Sequence, residues 1–439
     1  MINRLLFLLT VTTAILAEEL IISLPTQTSL QPVYISEITT KKSSFPNEYR
    51  LALDQVLRFD FENNGRTRIE TRMPKYESIL ADIDYQKAFY PKIWQELSVA
   101  YVIRAHIEGK DLHTSVYLPK TSIVKHFKTL HLSGKLDDDR RLIHRLSDGI
   151  FYDLFHTKGI ASTRVLYTYQ PSHKTSISEI WECDYDGANS FPITHENVQS
   201  LTPTAVGSQF AFACYKSGQT KIFTNKRNHQ SGTPFISLTG NQFHPTLGNR
   251  GEILAFTSDH QGRNDLYLQK LNRNMTTVGK HIQLYAYPRS VTASPSFSPD
   301  DQQLAFVSDQ SGNPKIYLID IPDKVLKRPE AQLLTTQHNS CVCPTWSPDG
   351  TKIAYSAKID GIRQIWIYDV QSKSTKQLTT GFGHKENPTW APNSQHLIYN
   401  TTDGDIYDLY LVHLHNPKPV KITKGTGLKH YPCWIKDPM

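Results

Sequence analysis

Apolar and polar positions repeat with a fixed period over the C-terminal two thirds of this 439-residue chain. Each repeat has a short apolar run around a proline, a turn such as Ser-Pro-Asp-Gly, a second apolar run, a Gly/Asn turn and an alternating third run. The leading prolines are 42, 50, 49, 44 and 44 residues apart, at Pro203, Pro245, Pro295, Pro344, Pro388 and Pro432. This period predicts four short strands per repeat, which is typical of a β-propeller blade.

The two ends of the repeat region predict how the propeller closes. Residues 164–169, 180–185 and 191–194 match second, third and fourth strands, but no proline-led first strand precedes them. Residues 431–434 (YPCW) match a first strand, but no second, third or fourth strand follows them in the sequence. Joining both ends makes a sixth blade and leaves no exposed strand edge. We therefore predict an all-β six-bladed β-propeller over residues 158–439, closed by N- and C-terminal strands.

An α/β domain is predicted before the propeller, over residues 18–157. Apolar residues at helical spacing predict helices over residues 49–61 and 141–155. Alternating runs predict strands over residues 33–35, 99–103 and 115–118, with a hairpin turn at residues 108–111.

Residues 1–17 combine Arg4, a short apolar run and a small residue at Ala17. This combination predicts a secretory signal peptide, with an uncleaved membrane anchor as the alternative. No other stretch is long and apolar enough to span a membrane, so we expect no membrane span after signal cleavage.

The composition of the chain limits which classes of partner and function are expected. The net charge of +7 comes from dispersed lysines and arginines, which together with export favours a solvated surface and no nucleic-acid partner. Five cysteines are an odd number, so at least one is unpaired within the monomer, and their connectivity stays open.

Motifs of catalytic chemistry are sparse. The chain has no Gly-x-Ser-x-Gly motif and no glycine-rich phosphate loop. The acidic run of Asp137, Asp138 and Asp139 precedes a predicted helix, whose dipole it complements; calcium binding is the alternative. Aromatic residues two positions after leading prolines are predicted to pack between blades, namely Phe297, Trp346, Trp390 and Trp434.

Histidines precede several of the leading prolines and are predicted to crowd one rim of the central channel. They are His244, His338, His384 and His430. One hypothesis is a metal or catalytic cluster, and the other is a polar rim that faces a partner. The offsets from the prolines differ between repeats, whereas metal ligands need convergent geometry, so the second hypothesis is favoured.

The order of these parts resembles the TolB family, the periplasmic propeller components of the Tol-Pal envelope system of Gram-negative bacteria. The resemblance is carried by Lys158-Gly159 leading into residues 164–167 (RVLY), by residues 183–187 (CDYDG), by the Ser-Pro-Asp-Gly turns and by YPCW near the end. It implies an α/β domain followed by a six-bladed propeller, with no catalytic activity, and we expect no cofactor or metal. It also implies a periplasmic scaffold that bridges inner- and outer-membrane complexes in envelope integrity and cell division.

The resemblance also implies an N-terminal partner site. In the family the mature N-terminus engages the inner-membrane protein TolA, and here the corresponding residues are Glu18, Leu20, Ile21 and Ile22. A short β-prone segment of this kind can add as a strand to a partner. The alternative is a strand docked on the protein's own first domain.

A second partner site is implied at the propeller rim. The family's peptidoglycan-associated lipoprotein, Pal, binds this rim, which by position corresponds to Asn241, His244 and Ala293. His384 and His430 extend the rim by position alone. The alternative function is a periplasmic propeller enzyme, a metal-dependent lyase or hydrolase that uses the rim histidines.

Overall fold

The computed structural model describes residues 30–81, 91–224, 232–322 and 330–436. The predicted signal peptide and the predicted TolA-binding residues Glu18, Leu20, Ile21 and Ile22 lie outside the described residues. Within the described ranges, no helix has both the length and the apolar character needed to cross a bilayer.

The N-terminal region is an α/β unit in which one mixed sheet packs against helices. Its helices are α1 (Asn47–Glu62), α2 (Pro74–Ala81), α3 (Pro91–Glu96) and α4 (Leu136–Phe155). Its strands are β1 (Gln31–Ile35), β2 (Thr39–Lys41), β3 (Thr67–Ile69), β4 (Tyr101–Glu108), β5 (Asp111–Leu118), β6 (Ile123–His126) and β7 (Leu130–His131). The main sheet order is β3-β1-β4-β5-β6, with β2 paired to β4 and β7 paired to β5.

Helices α1 and α4 confirm the two predicted helices and pack on each other. Leu53, Val56, Leu57 and Phe61 recur at helical spacing on α1 and are buried against the sheet. The hairpin turn at residues 108–111 is also confirmed, between β4 and β5. Helices α2 and α3 were not predicted.

Helix α4 begins five residues earlier than predicted, so the acidic run lies in its first turn. The buried carboxylate of Asp139 accepts hydrogen bonds from the backbone N–H groups of Ser133 at 2.9 Å and Gly134 at 2.8 Å, and from the hydroxyl of Tyr49 at 2.6 Å. Asp139 therefore fixes the entry into α4, and the negative charge of this turn complements the helix dipole.

The C-terminal part is composed of antiparallel sheets. Its strands are β8 (Arg164–Gln170), β9 (Glu179–Asp184), β10 (Phe191–Pro192), β11 (Ser200–Val206), β12 (Gln209–Lys216), β13 (Gln219–Thr224), β14 (Thr233–Pro234), β15 (Gln242–Leu247), β16 (Ile253–Ser258), β17 (Asp265–Leu271), β18 (Thr277–Tyr285), β19 (Thr292–Phe297), β20 (Gln303–Ser308), β21 (Lys315–Asp320), β22 (Gln332–Leu333), β23 (Cys341–Trp346), β24 (Lys352–Ile359), β25 (Ile362–Asp369), β26 (Thr375–Gln377), β27 (His384–Trp390), β28 (His396–Asp403), β29 (Ile406–His413), β30 (Asn416–Lys421) and β31 (Leu428–Trp434). Four sheets of four strands are formed by β11 to β14, β15 to β18, β19 to β22 and β23 to β26. An eight-stranded sheet contains β8 to β10 and β27 to β31.

Strand β31 joins the two ends of the C-terminal part. It pairs antiparallel with β8, from Leu428 opposite Gln170 to Trp434 opposite Val165. Its contact with β29 is a parallel ladder of one residue pair. The indole N–H of Trp434, which is 1% exposed, donates a hydrogen bond to Oγ1 of Thr163 at 2.8 Å. The last described strand is thus held in the core beside the first strand of this part.

The predicted aromatic contacts between repeats are confirmed. Phe297, Trp346, Trp390 and Trp434 are all buried, each in the apolar core of the sheets. A hydrogen bond between neighbouring repeats also recurs at these positions. The backbone N–H of the residue two positions after one leading proline donates to the side-chain hydroxyl of the residue directly after the preceding leading proline. Examples are Leu247 to Thr204, Trp346 to Ser296 and Trp434 to Thr389, each at 3.0 Å. Neighbouring repeats are therefore held together both by backbone-to-hydroxyl hydrogen bonds and by apolar packing.

All five cysteines are free thiols. Cys341 is buried in the core between sheets, whereas Cys343 lies on a different surface of the same strand. The Ser-Pro-Asp turns are structural: the carboxylate of Asp349 accepts hydrogen bonds from the hydroxyl of Ser347 at 2.6 Å and from the amide of Thr351 at 3.0 Å.

A buried polar cluster joins the α/β unit to the C-terminal part. Asp60 of α1 accepts a hydrogen bond from the hydroxyl of Tyr185 at 2.8 Å, and Nδ1 of His144 of α4 lies 2.9 Å from the same carboxylate oxygen. Asp60 is 3% and His144 1% exposed. Because Tyr185 follows β9, one carboxylate connects two helices with the first hairpin of the C-terminal part.

The loop after α1 also lies very close to the C-terminal part. Gly65 has a φ of +75°, and a Cβ placed there would lie 2.3 Å from Nε2 of His413. Nε2 of the neighbouring His396 lies 2.8 Å from the carbonyl oxygen of Asn63. The loop after α1 therefore needs glycine both for its backbone conformation and for its contact with β29.

Candidate functional site

The innermost strands of the C-terminal sheets enclose a cavity of about 640 Å³, here called the channel cavity. These strands contact one another in sequence order, and the first of them also contacts the last; they are β11, β15, β19, β23, β27 and β31. The leading proline of each strand lines the cavity wall. The repeated prolines therefore mark the part of each repeat that faces the channel.

The residue before each leading proline has a left-handed backbone. The φ angles are +48° at Thr202, +51° at His244, +49° at Ser294, +52° at Cys343, +52° at Asn387 and +51° at Tyr431. Such angles are uncommon outside glycine, and a residue before proline normally adopts an extended conformation.

Each of these left-handed residues also lies at a register shift between its strand and the next one, as between Phe243 and Thr246 on β15. These are β-bulges, which bend a strand and re-aim a side chain. All six of these residues border the channel cavity. The same local distortion is thus repeated around one cavity, with a different side chain on each strand.

The cavity wall is chemically mixed: prolines and tryptophans make its larger, apolar part, and polar groups lie among them. It offers hydroxyl, imidazole, thiol, amide and phenol groups, together with the ion pair between Arg363 and Glu386, whose Nε and Oε1 are 3.0 Å apart. Neighbouring wall residues contact each other, as where the thiol of Cys343 donates to Oδ1 of Asn387 at 3.0 Å. Such a wall can bind a peptide segment through several different hydrogen bonds.

His244 is the predicted site residue that lines the channel cavity. Its Nδ1 lies 3.3 Å from Oγ1 of Thr257. Burial lowers the pKa of His244 to about 4, so the ring is neutral at pH 7. A neutral imidazole can donate one hydrogen bond and accept another.

The other predicted rim residues lie near the starts of innermost strands, outside the cavity lining. The side-chain amide of Asn241 donates to Oδ2 of Asp259 at 2.7 Å and accepts from the backbone N–H of Thr220 at 3.0 Å. Ala293 lies on β19 opposite Val307. Asn241 therefore stabilises the approach to its strand, and this role is independent of any partner.

Of the other three rim histidines, His384 and His430 are the predicted partner-binding residues, and they differ in environment. Nδ1 of His384 accepts a hydrogen bond from the backbone N–H of Arg363 at 3.1 Å. The ring of His430 packs against Tyr431, with centroids 4.7 Å apart, and near Tyr407 at 6.1 Å. Burial first, and then the neighbouring His173, lower the pKa of His430 to about 4.

The hypothesis of a rim metal cluster requires the rim histidines to converge. Among the described residues, the groups of three side chains close enough to share an ion are His106, Glu108 and His113, and His144, Asp184 and Asp186. Neither group includes His244, His338, His384 or His430. The second group also has Arg140 paired with Asp186 and Arg164 3.8 Å from Asp184, so cations already neutralise its carboxylates.

Most of the cavity wall was not predicted. Thr202, Ser294, Cys343, Asn387 and Tyr431 were not among the candidate residues, although each stands one position before a leading proline. That fixed offset is the signal that could have identified them.

The fold and the cavity define a class of proteins, those with an α/β region followed by a β-propeller. A family model described as the TolB beta propeller domain matches residues 151–437 of this chain. Together with the relatives described next, this match shows that the chain belongs to the TolB family, which confirms the resemblance found in the sequence.

The relatives include chlamydial proteins. A TolB homolog of Protochlamydia amoebophila is 38% identical over 383 residues, which cover 84% of this chain and 82% of the relative. A TolB homolog of Chlamydia trachomatis serovar L2 is 32% identical over 269 residues, or 60% of this chain and 56% of the relative. The crystal structure of TolB from Acinetobacter baumannii matches with a TM-score of 0.73 at 19% identity, over 92% of this chain and 96% of that one. At this identity the structural match shows the shared fold.

Proposed function

We propose that this protein is a non-catalytic periplasmic scaffold of the Tol-Pal envelope system. In this proposal the channel rim binds a peptidoglycan-associated lipoprotein of the Pal type, and the mature N-terminus binds an inner-membrane protein of the TolA type. Membership of the TolB family supports the assignment to this system. The scaffold would serve envelope integrity and cell division by linking the two membranes.

We infer that the propeller has six blades, with the α/β domain ending at residue 157 and the propeller beginning at residue 158. The eight-stranded sheet supports this count, because β27 to β30 and the set β31, β8, β9 and β10 each have the strand order of one blade. The contact between β11 and β31 supports a closed ring. Closure would protect the strand edges that an open propeller exposes.

The observation that carries the proposal is the ring of left-handed residues around the channel cavity. Backbone strain of this kind costs about 1–3 kcal/mol per residue. It persists only where the surrounding structure enforces it, and it is concentrated at binding and active sites. Here the strained residues differ in side chain from strand to strand but share one position and one cavity. This is what a surface that recognises an extended polypeptide needs, namely fixed geometry with varied hydrogen-bonding groups.

Replacing His244 by glutamate is expected to weaken binding of the purified lipoprotein at least about tenfold, or 1.4 kcal/mol. The reason is that a carboxylate in a desolvated wall is costly unless it is paired. Binding is measured by titration calorimetry with the purified lipoprotein, and circular dichroism checks that the variant is folded.

The matched control is His195→Glu, which makes the same change at an exposed position outside the cavity lining. The control should bind like the wild type. Equal binding by wild type, His244→Glu and control would place the lipoprotein elsewhere. We prefer this variant to Asn241→Ala, because loss of the Asn241 side chain would also disturb its contacts with Asp259 and Thr220.

Deleting residues 18–23 is expected to abolish capture of the TolA-type protein while lowering the melting temperature by less than about 2 °C, because only a short terminal segment is removed. Pull-down and thermal melting are run on the same preparation. A large fall in melting temperature would instead favour a segment docked on its own α/β domain.

A further inference from the structure

The solvent-facing side of the β4–β5 hairpin carries a compact set of metal-binding side chains. His106 and Glu108 are two positions apart on β4, and Asp111 and His113 are two positions apart on β5. Since side chains alternate between the two faces of a strand, all four lie on the same face. This face is distant in sequence from the propeller and plays no part in the proposed scaffold function.

The hairpin register brings these side chains opposite one another. His106 pairs directly with His113, and Glu108 pairs with Asp111 next to the turn. The two imidazole rings are stacked, with centroids 4.9 Å apart and an interplanar angle of 19°. Cross-strand neighbours of this kind are the closest side-chain pairs that a sheet offers.

Three of these side chains can share one ion. One ligand atom from each of His106, Glu108 and His113 lies within 4.8 Å of the others. Around a tetrahedral zinc ion with bonds of about 2.0–2.1 Å, ligand atoms are about 3.3 Å apart. Small side-chain rotations therefore suffice to close the site, without movement of the backbone.

The hairpin is a rigid support for such a site. Its opposite face carries Ala105, Ile107 and Leu112, each no more than 1% exposed in the core of the α/β unit. A second interaction orients one ligand, because Nδ1 of His113 lies 3.2 Å from Oγ1 of Thr129. When Nδ1 donates to that hydroxyl, the lone pair of Nε2 is available to a metal, and such outer contacts strengthen metal sites.

We propose that His106, Glu108 and His113 bind one Zn²⁺ ion on the outer face of the α/β domain, with water at the fourth position. Two imidazoles and one carboxylate form a donor set that suits zinc among the divalent metals. Glu108 is exposed and both histidines are half-buried, so an ion can reach the site from solvent.

The test is calorimetric titration of ZnCl₂ into the chelator-treated chain without its signal peptide, with the variants His106→Ala and Glu108→Gln alongside. The wild type should bind zinc at this site with a Kd in about the micromolar range, and each variant should bind at least about tenfold more weakly. The exposed His195→Ala variant serves as the control and should match the wild type. Thermal melting without metal checks that every variant is folded.

X-ray absorption on the zinc-loaded wild type gives an independent readout. Two imidazole nitrogens at about 2.0–2.1 Å are expected, reduced to one in His106→Ala. No zinc binding by the wild type, or equal affinity in both ligand variants and the control, would overturn the site. Glu108→Gln is the safer variant for folding, because it preserves the size of an exposed side chain next to the turn.

Discussion

Truncating the chain after Gly427 is expected to abolish the cooperative unfolding of the propeller. The deletion removes β31, and with it the pairing to β8 and the buried indole of Trp434. Loss of a buried tryptophan side chain alone costs about 3–5 kcal/mol, whereas a domain has about 5–15 kcal/mol in total. The strand edge of β8 would also be exposed and a gap would open between β11 and β27, and exposed edges favour aggregation.

The measurement is thermal unfolding followed by near-ultraviolet circular dichroism, together with the rate of proteolysis. The matched control is truncation after Lys436, which keeps β31 complete. Trp434→Ala should fall between the two, still folded but about 3–5 kcal/mol less stable. Cooperative unfolding of the long truncation close to the temperature of the control would show that β31 does not close the propeller, and would contradict the proposed count of six blades.

Asp60→Ala is expected to lower the free energy of unfolding by about 3–5 kcal/mol, the usual effect of removing one partner from a buried ion pair. The substitution leaves both Nδ1 of His144 and the hydroxyl of Tyr185 without their acceptor. Because these groups belong to α4 and to the hairpin after β9, the loss should loosen the contact between the α/β domain and the propeller.

The stabilisation that Asp60 and His144 provide is expected to depend on pH. Burial alone would lower the pKa of His144, but the carboxylate of Asp60, and then Asp186 and Asp184, raise it above the ordinary value of 6.5. A folded-state pKa above the unfolded one means that the stabilisation is complete below pH 6.5 and is lost as pH rises through the folded-state pKa. The wild type should therefore lose stability as pH rises from 6.5.

Asp60→Asn separates charge from hydrogen bonding. Its amide oxygen still accepts a hydrogen bond, so the loss should be smaller than in Asp60→Ala, but the pH dependence above 6.5 should flatten. Other charged groups near His144 are unchanged in both variants. They are Asp186, whose Oδ2 lies 3.7 Å from Nε2 of His144, Asp184, and the arginines paired with these carboxylates, Arg140 and Arg141. Urea unfolding at pH 6 and pH 8.5 measures both effects. The same pH slope in wild type and Asp60→Asn would mean that His144 does not stabilise the interface by its charge.

Local patterns predicted much of the architecture. The spacing of Leu53, Val56, Leu57 and Phe61 predicted α1, and the aromatic residues after the leading prolines were correctly predicted as core. Helices α2 and α3 were missed because they are short, and a helix of six or eight residues shows too few turns for a period to emerge. The start of α4 was placed too late, because its first turn is acidic and lacks the apolar spacing that marks the rest.

The candidate site was predicted only at His244. The other residues at the same position were not predicted, because a residue before proline is normally extended. A regular strand also has no bulge to turn that side chain into the channel. The bulge lies in the pairing of each innermost strand with the next strand of its sheet, as between β15 and β16. Tyr431 is an example: its position before Pro432 is visible in the sequence, but its left-handed φ of +51° and its place beside the channel cavity are visible only in the structure.

The sequence by itself determined the repeated strands, their turns and membership of the TolB family, because alternation, turn chemistry and motif order are properties of neighbouring residues. Tertiary structure alone decided which groups meet. Asp60 meets His144 across 84 positions, Asn63 meets His396 across 333, and a hairpin face brings His106, Glu108 and His113 within reach of one ion. The physical reason is that burial, pKa shifts and ligand geometry depend on distances in space, which chain folding sets and sequence spacing does not encode.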